Sequence, residues 1–393
     1  MVGWALLADV VPLYPLYALL FADTGMSGAQ ISALFAIWSA VGVIAEVPSG
    51  ALADRFSRRA CLVAAGVLQA CGYVGWILLP NFAGFALGFV LWGLGGVLVS
   101  GAREALLYDG LTAAGAEEQY ARVNGWVTGA GLLAQLPAAV AATALYAAGG
   151  YLLAGWVSVG VCLAAAVMAS RLPEPPRDTG WADDPDSQLG YLATLRAGLL
   201  EARRRPGVRA ALVVVALLGA FDAVEEYFPL IVVGWGVPTA IVPVAGLPIV
   251  LAGVVGAALG GTAGRLGRWA LAVLLGGAML LFGAAGLAGH PAGVVAVALF
   301  YGAYRSVLVV VDARLQERID SRSRATVTSV AGVGTDLATF GVYAAWAIGA
   351  VPLMAVLGVL VAAALPRLLR TSRGPGAGRG SASRSRGARR DRR

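Results

Sequence analysis

Glu46-Val-Pro-Ser-Gly-Ala-Leu-Ala-Asp-Arg-Phe-Ser-Arg-Arg59 separates two long apolar runs. A run of about 20 residues, the length that crosses a hydrocarbon core, ends at Pro48, and a second begins at Ala60. Between them Asp54, Arg55, Arg58 and Arg59 place four charges in six residues. Gly50 supplies close packing and backbone freedom. The three arginines hold such a turn on the cytoplasmic side of a bilayer. Asp54 adds nothing to that anchoring and therefore needs another role.

The composition agrees with two membrane runs. The chain has 393 residues, 59% hydrophobic and 13% charged, against about 25% charged in a soluble domain. Mean hydropathy is +0.78. Every one of the 29 basic residues is Arg, and ten of them follow Ala364, so the net charge of +7 does not form a nucleic-acid face. Cys61, Cys71 and Cys162 fall inside apolar runs, with no disulfide or metal spacing. The single His290 stands between Gly289 and Pro291 and reads as a loop residue. No Gly-Lys-Ser/Thr loop supports direct ATP drive, and no nucleophile–base set supports an enzyme. No cofactor is expected. The first apolar run lacks a basic leader and a cleavage site, so it reads as a permanent span.

Twelve spans are expected, approximately at 3–22, 29–48, 60–79, 82–102, 124–147, 150–170, 210–233, 239–259, 269–288, 291–311, 325–347 and 350–368. Arginine placement orients them with both termini cytoplasmic. The inner links carry Arg55, Arg58 and Arg59, then Arg122, Arg171 to Arg209, Arg265 and Arg268, and Arg314 to Arg324. The outer links carry none. Residues 171–207 form the longest internal link. Its prolines and the Asp183-Asp184-Pro185-Asp186 run make the first part irregular. Leu189, Leu192, Leu195 and Leu199 then recur at helical spacing, as in an amphipathic helix on the inner membrane surface. The expected units are an N-terminal six-helix bundle (1–170), this linker (171–207), a C-terminal six-helix bundle (208–370) and a disordered basic cytoplasmic tail (371–393).

The two halves repeat. Gly50 to Arg58 aligns without gaps on Gly260 to Arg268, Gly101 to Asp109 resembles Gly302 to Asp312, and Asp9 with Pro15-Leu16 resembles Asp222 with Pro229-Leu230. Gly50-x-Leu52-Ala53-Asp54-Arg55-x-x-Arg58-Arg59 resembles the signature loop between the second and third helices of the major facilitator superfamily. That resemblance covers about residues 3–370. It implies an all-α membrane protein of twelve transmembrane helices in two pseudo-symmetric six-helix bundles, related as parallel repeats. It also implies that spans 1, 4, 7 and 10 line a central path, and that the default state is a monomer. The second copy departs from the pattern, with Gly264 where the first has Asp54.

A charge inside the bilayer costs about 3 kcal/mol or more and should face a partner or a cavity. Asp9 lies in span 1, Arg103 and Glu104 in span 4, Asp222, Glu225 and Glu226 in span 7, Arg305 in span 10 and Asp336 in span 11. Asp222 and Glu226, four apart, share a helical face, and Glu225, three from Asp222, is also close to it. Three like charges there cannot all ionise cheaply, which suits a carboxyl that carries a proton across. The alternative is that they pair with Arg305 and fix helix packing. Expected pairs are Asp9–Arg103, and Asp222 or Glu226 with Arg305; either arginine is also a candidate for an anionic substrate group. The resemblance implies that Asp54 approaches the start of span 11 near Thr326 to Ser329, and that Arg58 meets Asp109. The repeat adds Arg268–Asp312. These contacts would latch the outward-open state; the alternative is that the arginines only anchor topology. Glycine clusters such as Gly93 to Gly96 and Gly253 to Gly261 read as close helix packing.

The function expected is secondary active transport in the cell membrane, with proton-coupled export (antiport) of a small hydrophobic or amphiphilic compound. Proton-driven uptake of a polar metabolite, or a non-transporting receptor or scaffold on the same fold, are the alternatives. The partners are a small-molecule substrate, protons and the lipid bilayer, without nucleic acid or metal.

Overall fold

The computed structural model describes residues 1–55, 57–175, 206–317 and 324–369, with the side chains of 46–55, 206–207 and 324–329 excepted. Helices, and no strand among the described residues, carry the chain. Helices α1 (Val2–Asp9) and α2 (Tyr17–Asp23) make the first pass, joined through a 3-10 turn at Tyr14–Leu16. Helices α3 (Gly28–Arg55), α4 (Arg58–Leu78) and α5 (Phe82–Ala113) follow singly. Helix α6 (Tyr120–Ser170) makes two passes, because Gly149 and Gly150 leave helical geometry in its middle. The seventh pass comprises α7 (Pro206–Gly219), a 3-10 segment (Ala220–Tyr227) and α8 (Phe228–Gly234). Helices α9 (Val242–Ala258) with the short α10 (Gly260–Ala263), α11 (Arg268–Ala288) and α12 (Gly293–Gln316) are the eighth to tenth. Helix α13 (Arg324–Leu368) makes the last two, breaking at Gly349 and Ala350.

Nine segments among the described residues are long and apolar enough to cross a membrane. Two of these, Glu117–Ser170 and Val330–Leu368, each contain two passes. The seventh pass is outside the nine because its 3-10 segment carries three acids. Twelve passes result.

Local signals start the helices where the links end. Ser27 and Gln30 form a reciprocal capping box at the start of α3, at 2.9 and 3.2 Å. Ser57 caps α4 by accepting from the Ala60 N–H, and Asn81 caps α5 by accepting from the Gly84 N–H. At the far end of pass 5, Gly150 takes φ +62°, a left-handed turn that reverses the chain at little cost.

The passes pack in two bundles with matching partners. In the first, α4 lies on α5 and α6, α3 on α5, and α1 on α6; in the second, α11 lies on α12 and α13, α9 on α12, and α7 on α13. Glycine brings backbones together at one crossing in each bundle, α4 on α5 and α9 on α12. A Cβ on Gly72 would stand 2.9 Å from the Gly88 carbonyl oxygen, and Gly256 meets Gly302 in the same manner. The bundles touch where α3 meets α13, α6 meets α9, and α2 meets α8.

Because passes alternate in direction, Arg58, Arg59, Arg122, Arg171, Arg265, Arg268 and Arg314 all fall at one end of the molecule, called here the arginine face. Gly50, Asp54 and Arg55 ride the last turns of α3. The Asp54 and Arg55 side chains, the expected approach of Asp54 to Thr326 to Ser329, the amphipathic segment 188–205 and the tail 371–393 lie outside the described residues.

Candidate functional site

Passes 1 and 7 are both interrupted near their middles. Pro15 and Pro229 sit at the first turn of the helical piece that resumes, the one helical position where a missing N–H is harmless. Irregular backbone within a membrane must find its hydrogen bonds in protein, and it does so here. The Leu13 N–H donates to Ser158 Oγ at 2.9 Å, and Tyr304 donates its hydroxyl hydrogen to the Leu218 carbonyl at 2.8 Å.

The break in pass 7 changes how its acids point. Asp222, Glu225 and Glu226 lie in the 3-10 segment Ala220–Tyr227, where residues three apart eclipse one another. Asp222 and Glu225 therefore share the face toward pass 10, and Glu226 turns away toward pass 1. This corrects the α-helical expectation that Asp222 and Glu226 share a face. Asp222 receives Arg305 Nη1 on both carboxylate oxygens, at 2.8 and 2.9 Å, with Tyr304 at 3.4 Å. Glu225 accepts from Tyr301 at 2.8 Å. Glu226 accepts from Tyr17, which belongs to the other bundle.

Further contacts join the bundles beside Glu226. Ser32 Oγ and Tyr227 Oη lie 2.8 Å apart, and Ser39 Oγ and Tyr343 Oη 3.0 Å apart. Tyr227 stacks on Trp346 with centroids 4.3 Å apart, and Phe35 meets Tyr227 edge-on at 5.3 Å. These residues lie in the halves of their passes away from the arginine face.

Between passes 1, 5, 7 and 8 lies a cavity of about 110 Å³. Asp9, Tyr14, Tyr17, Gln135, Glu225 and Glu226 give it its polar groups, and Phe228 with alanine, valine, proline, leucine and glycine completes the wall. Asp9 ends α1 and rests on α6, where a Cβ at Gly131 would come within 2.5 Å of its Oδ2. The expected Asp9–Arg103 pair is not made. Asp9 rests against Gly131 of α6, and Arg103, still within electrostatic reach of it, lies 3.5 Å from its own neighbour Glu104.

At the arginine face, Arg58 forms an ion pair with Asp109 and donates to the Ala105 carbonyl at 3.0 Å. Glu174, just after pass 6, accepts from the Arg58 N–H at 2.7 Å and from the Ser57 hydroxyl, and stands 3.9 Å from Arg59 Nε. An acid at the N-terminus of α4 also meets the positive end of its dipole. The Arg268–Asp312 pair that the repeat implied is absent. Arg314 reaches instead to the Gly264 and Leu266 carbonyls, at 3.3 and 2.6 Å. With glycine in place of the loop acid, the second loop offers backbone oxygen, and a cation from α12 takes it.

Sequence reasoning missed Glu174, Tyr14, Tyr17 and Gln135. The Pro15-Leu16/Pro229-Leu230 match was the one signal that could have directed attention to the middle of pass 1. Among the other aromatic residues, Tyr301 and Tyr304 serve the acids of pass 7, Tyr227 joins the bundles, Trp38 and Trp92 pack together at 5.2 Å and Tyr108 packs with Tyr120 at 5.6 Å.

A family model, described as the Major Facilitator Superfamily, matches residues 2–342. No curated protein matches the sequence. Among solved structures, the chain is similar to a mutant form of the nucleoside transporter NupG, at 14% identity and a TM-score of 0.73, over 93% of this chain and 98% of that one. It is similar to a D-xylose-proton symporter at 18% identity and a TM-score of 0.66, over 94% and 96% of the two chains. It is also similar to a bacterial homologue of the iron transporter ferroportin in an inward-facing state, at 15% identity and a TM-score of 0.66, over 94% and 98%. At these identities the likeness is one of fold.

Proposed function

The chain belongs to the Major Facilitator Superfamily, whose members are transporters rather than enzymes, and on that premise we propose that it is a proton-coupled exporter of a small hydrophobic or amphiphilic compound, working by alternating access. The observation that carries this reading is the meeting of three carboxyl groups, Asp9, Glu225 and Glu226, on one largely apolar cavity between the bundles. Two of them hang from a broken pass, the arrangement by which transporters of this kind build midplane sites.

A proton on Glu226 competes with the hydrogen bond from Tyr17. Protonation at that carboxyl therefore loosens one tie between the bundles, and deprotonation restores it. Glu225 is the second carrier, held by Tyr301. Asp222 is committed to Arg305 and keeps that arginine from attracting an anion into the path. Uptake of an anionic metabolite on Arg305 would first require Asp222 to release it, so export of an apolar body fits the cavity better.

The arginine face is the cytoplasmic one, with both termini on that side and the chain in the cell membrane as a monomer. The bundle contacts then lie in the outer halves of the passes, and the conformer is closed to the outside. Residues 171–207 link the bundles at the cytoplasmic surface, and 371–393 are a basic tail. Gly50, Asp54, Arg55, Arg58, Arg59 and Asp109 form the proposed latch. The Arg58–Asp109 pair is already made within the first bundle in this outside-closed conformer, so the preference for the outward-open state rests on Asp54 meeting the start of pass 11. Arg268 and Asp312 have no such contact and drop out of it. Purified protein in sealed liposomes with an internal pH dye tests the reading. Proton movement opposite to that of a substrate supports it; movement with the substrate makes the protein an importer.

A further inference from the structure

The three carboxyls of the cavity are not equivalent. Glu226 accepts from Tyr17 and Glu225 from Tyr301. Asp9 also lines the cavity and is exposed, yet no hydrogen bond or ion pair joins it to another described residue. Its place is built rather than incidental. Helix α1 ends at Asp9, and Gly131 of α6 leaves the space into which its carboxylate fits.

Among the described residues no basic side chain lines the cavity. Arg305 is held by Asp222 and is not part of the wall, and Arg103 lies beside Glu104. Tyr14 and Tyr17 present aromatic surface next to Asp9, and Tyr14 is itself fixed by stacking on Trp92 at 6.0 Å. An anion entering would meet carboxylates at the wall; the cation within electrostatic reach of Asp9, Arg103, stands outside the wall beside Glu104. A cation would meet a carboxylate with no competing protein donor and aromatic faces that attract positive charge.

We propose that the cavity takes an organic cation with an apolar body, and that Asp9 is the residue that receives its positive charge while Glu225 and Glu226 carry the proton. This rests on the transporter reading above and narrows it. The division of labour follows from partners. Glu225 and Glu226 are tied to tyrosines that report their protonation to the rest of the fold; Asp9 is tied to none and is left for the ligand. Gly131 is a positioning residue, since any side chain there pushes the Asp9 carboxylate from its place.

The test is binding by the full chain in detergent, measured by isothermal titration calorimetry with two probes of similar size and permanent charge, benzyltrimethylammonium and benzylsulfonate. The cation should bind at least tenfold more tightly than the anion. Asp9→Asn should weaken the cation at least tenfold and leave the anion unchanged, Asp9→Glu should recover part of the loss, and Gly131→Ala should weaken the cation with the charge still present. Equal affinity for the two probes, no binding of the cation, or cation affinity unaltered in Asp9→Asn would overturn the proposal. The wild-type comparison of the two probes needs no variant to fold. The liposome assay separates the two readings. If other compounds drive proton movement while the cation does not bind, the substrate class is wrong and the exporter stands. If the cation binds at Asp9 without proton movement, the coupling is wrong and the substrate class stands.

Discussion

Tyr17 of the first bundle donates its hydroxyl hydrogen to Glu226 of the second, 209 residues away in sequence. The next residue, Tyr227, meets Ser32 of the first bundle at 2.8 Å. Two adjacent side chains of a broken pass thus hold the bundles together on one side of the membrane. One of those side chains is a carboxyl, which can take up a proton.

Tyr17→Phe removes the donor and keeps the ring. A hydrogen bond to a charged group contributes about 1.5–3 kcal/mol, so the closed conformer should lose about tenfold or more in population. Spin labels at positions 29 and 348, in a background without Cys61, Cys71 and Cys162, flank the contact between α3 and α13. Their distance distribution should move to longer values in the variant. An unchanged distribution would show that the aromatic contacts alone hold this side shut.

Asp222→Asn leaves Arg305 without its carboxylate. Breaking a buried pair costs about 3–5 kcal/mol, but these side chains are 45% and 32% exposed, so about 1–2 kcal/mol is expected. The melting temperature in detergent should fall, and Asp222→Asn/Arg305→Gln should recover part of it. A double variant no better than the single one would mean that Arg305 has other work.

Ala350 holds φ +45° and ψ −141° at the break in α13, a conformation that costs a non-glycine residue about 1–3 kcal/mol. The equivalent break in α6 uses Gly150. Ala350→Gly should raise the melting temperature, less about 0.5–1 kcal/mol for the freer unfolded chain. No gain would place the compensation in the packing of Val351 on Gly286.

Glu174→Gln weakens both the cap on α4 and the approach of Arg59. A modest loss of stability, about 1 kcal/mol at most for an acid at a helix N-terminus, should accompany slower transport. Asp54→Asn should slow transport while insertion and melting temperature stay as in the wild type. Unchanged turnover in both would leave the arginines as topological anchors only.

The passes were legible because each needs about 20 apolar residues, a signal carried by composition alone. The expected spans differ from the helices mainly at the arginine face. There α3 runs on to Arg55 and α5 to Ala113, beyond the apolar stretch. The reversals at Gly149-Gly150 and Gly349-Ala350 fell where the span limits put them. The site was less legible. Eight residues such as Ala220–Tyr227 do not reveal whether they wind in 3.6 or 3.0 residues per turn, and the choice decides which way Glu226 points. The partner of Glu226 is a tyrosine on another pass, and hydropathy carries no information about pairing at that separation. Arg305–Asp222 was within reach because opposite charges in a membrane seek one another. Asp9–Arg103 failed on the same logic because α1 stops at Asp9 and turns it toward Gly131.

The central claim is that Glu225 and Glu226 of pass 7 carry the proton. The direct measurement uses the Glu225→Gln/Glu226→Gln variant beside the wild type in sealed liposomes with an internal pH dye. A substrate identified on the wild type is supplied across an imposed gradient. The account predicts proton movement opposite to the substrate in the wild type and none in the variant, with the variant still inserted and folded. Coupled proton movement that persists in the variant would contradict it.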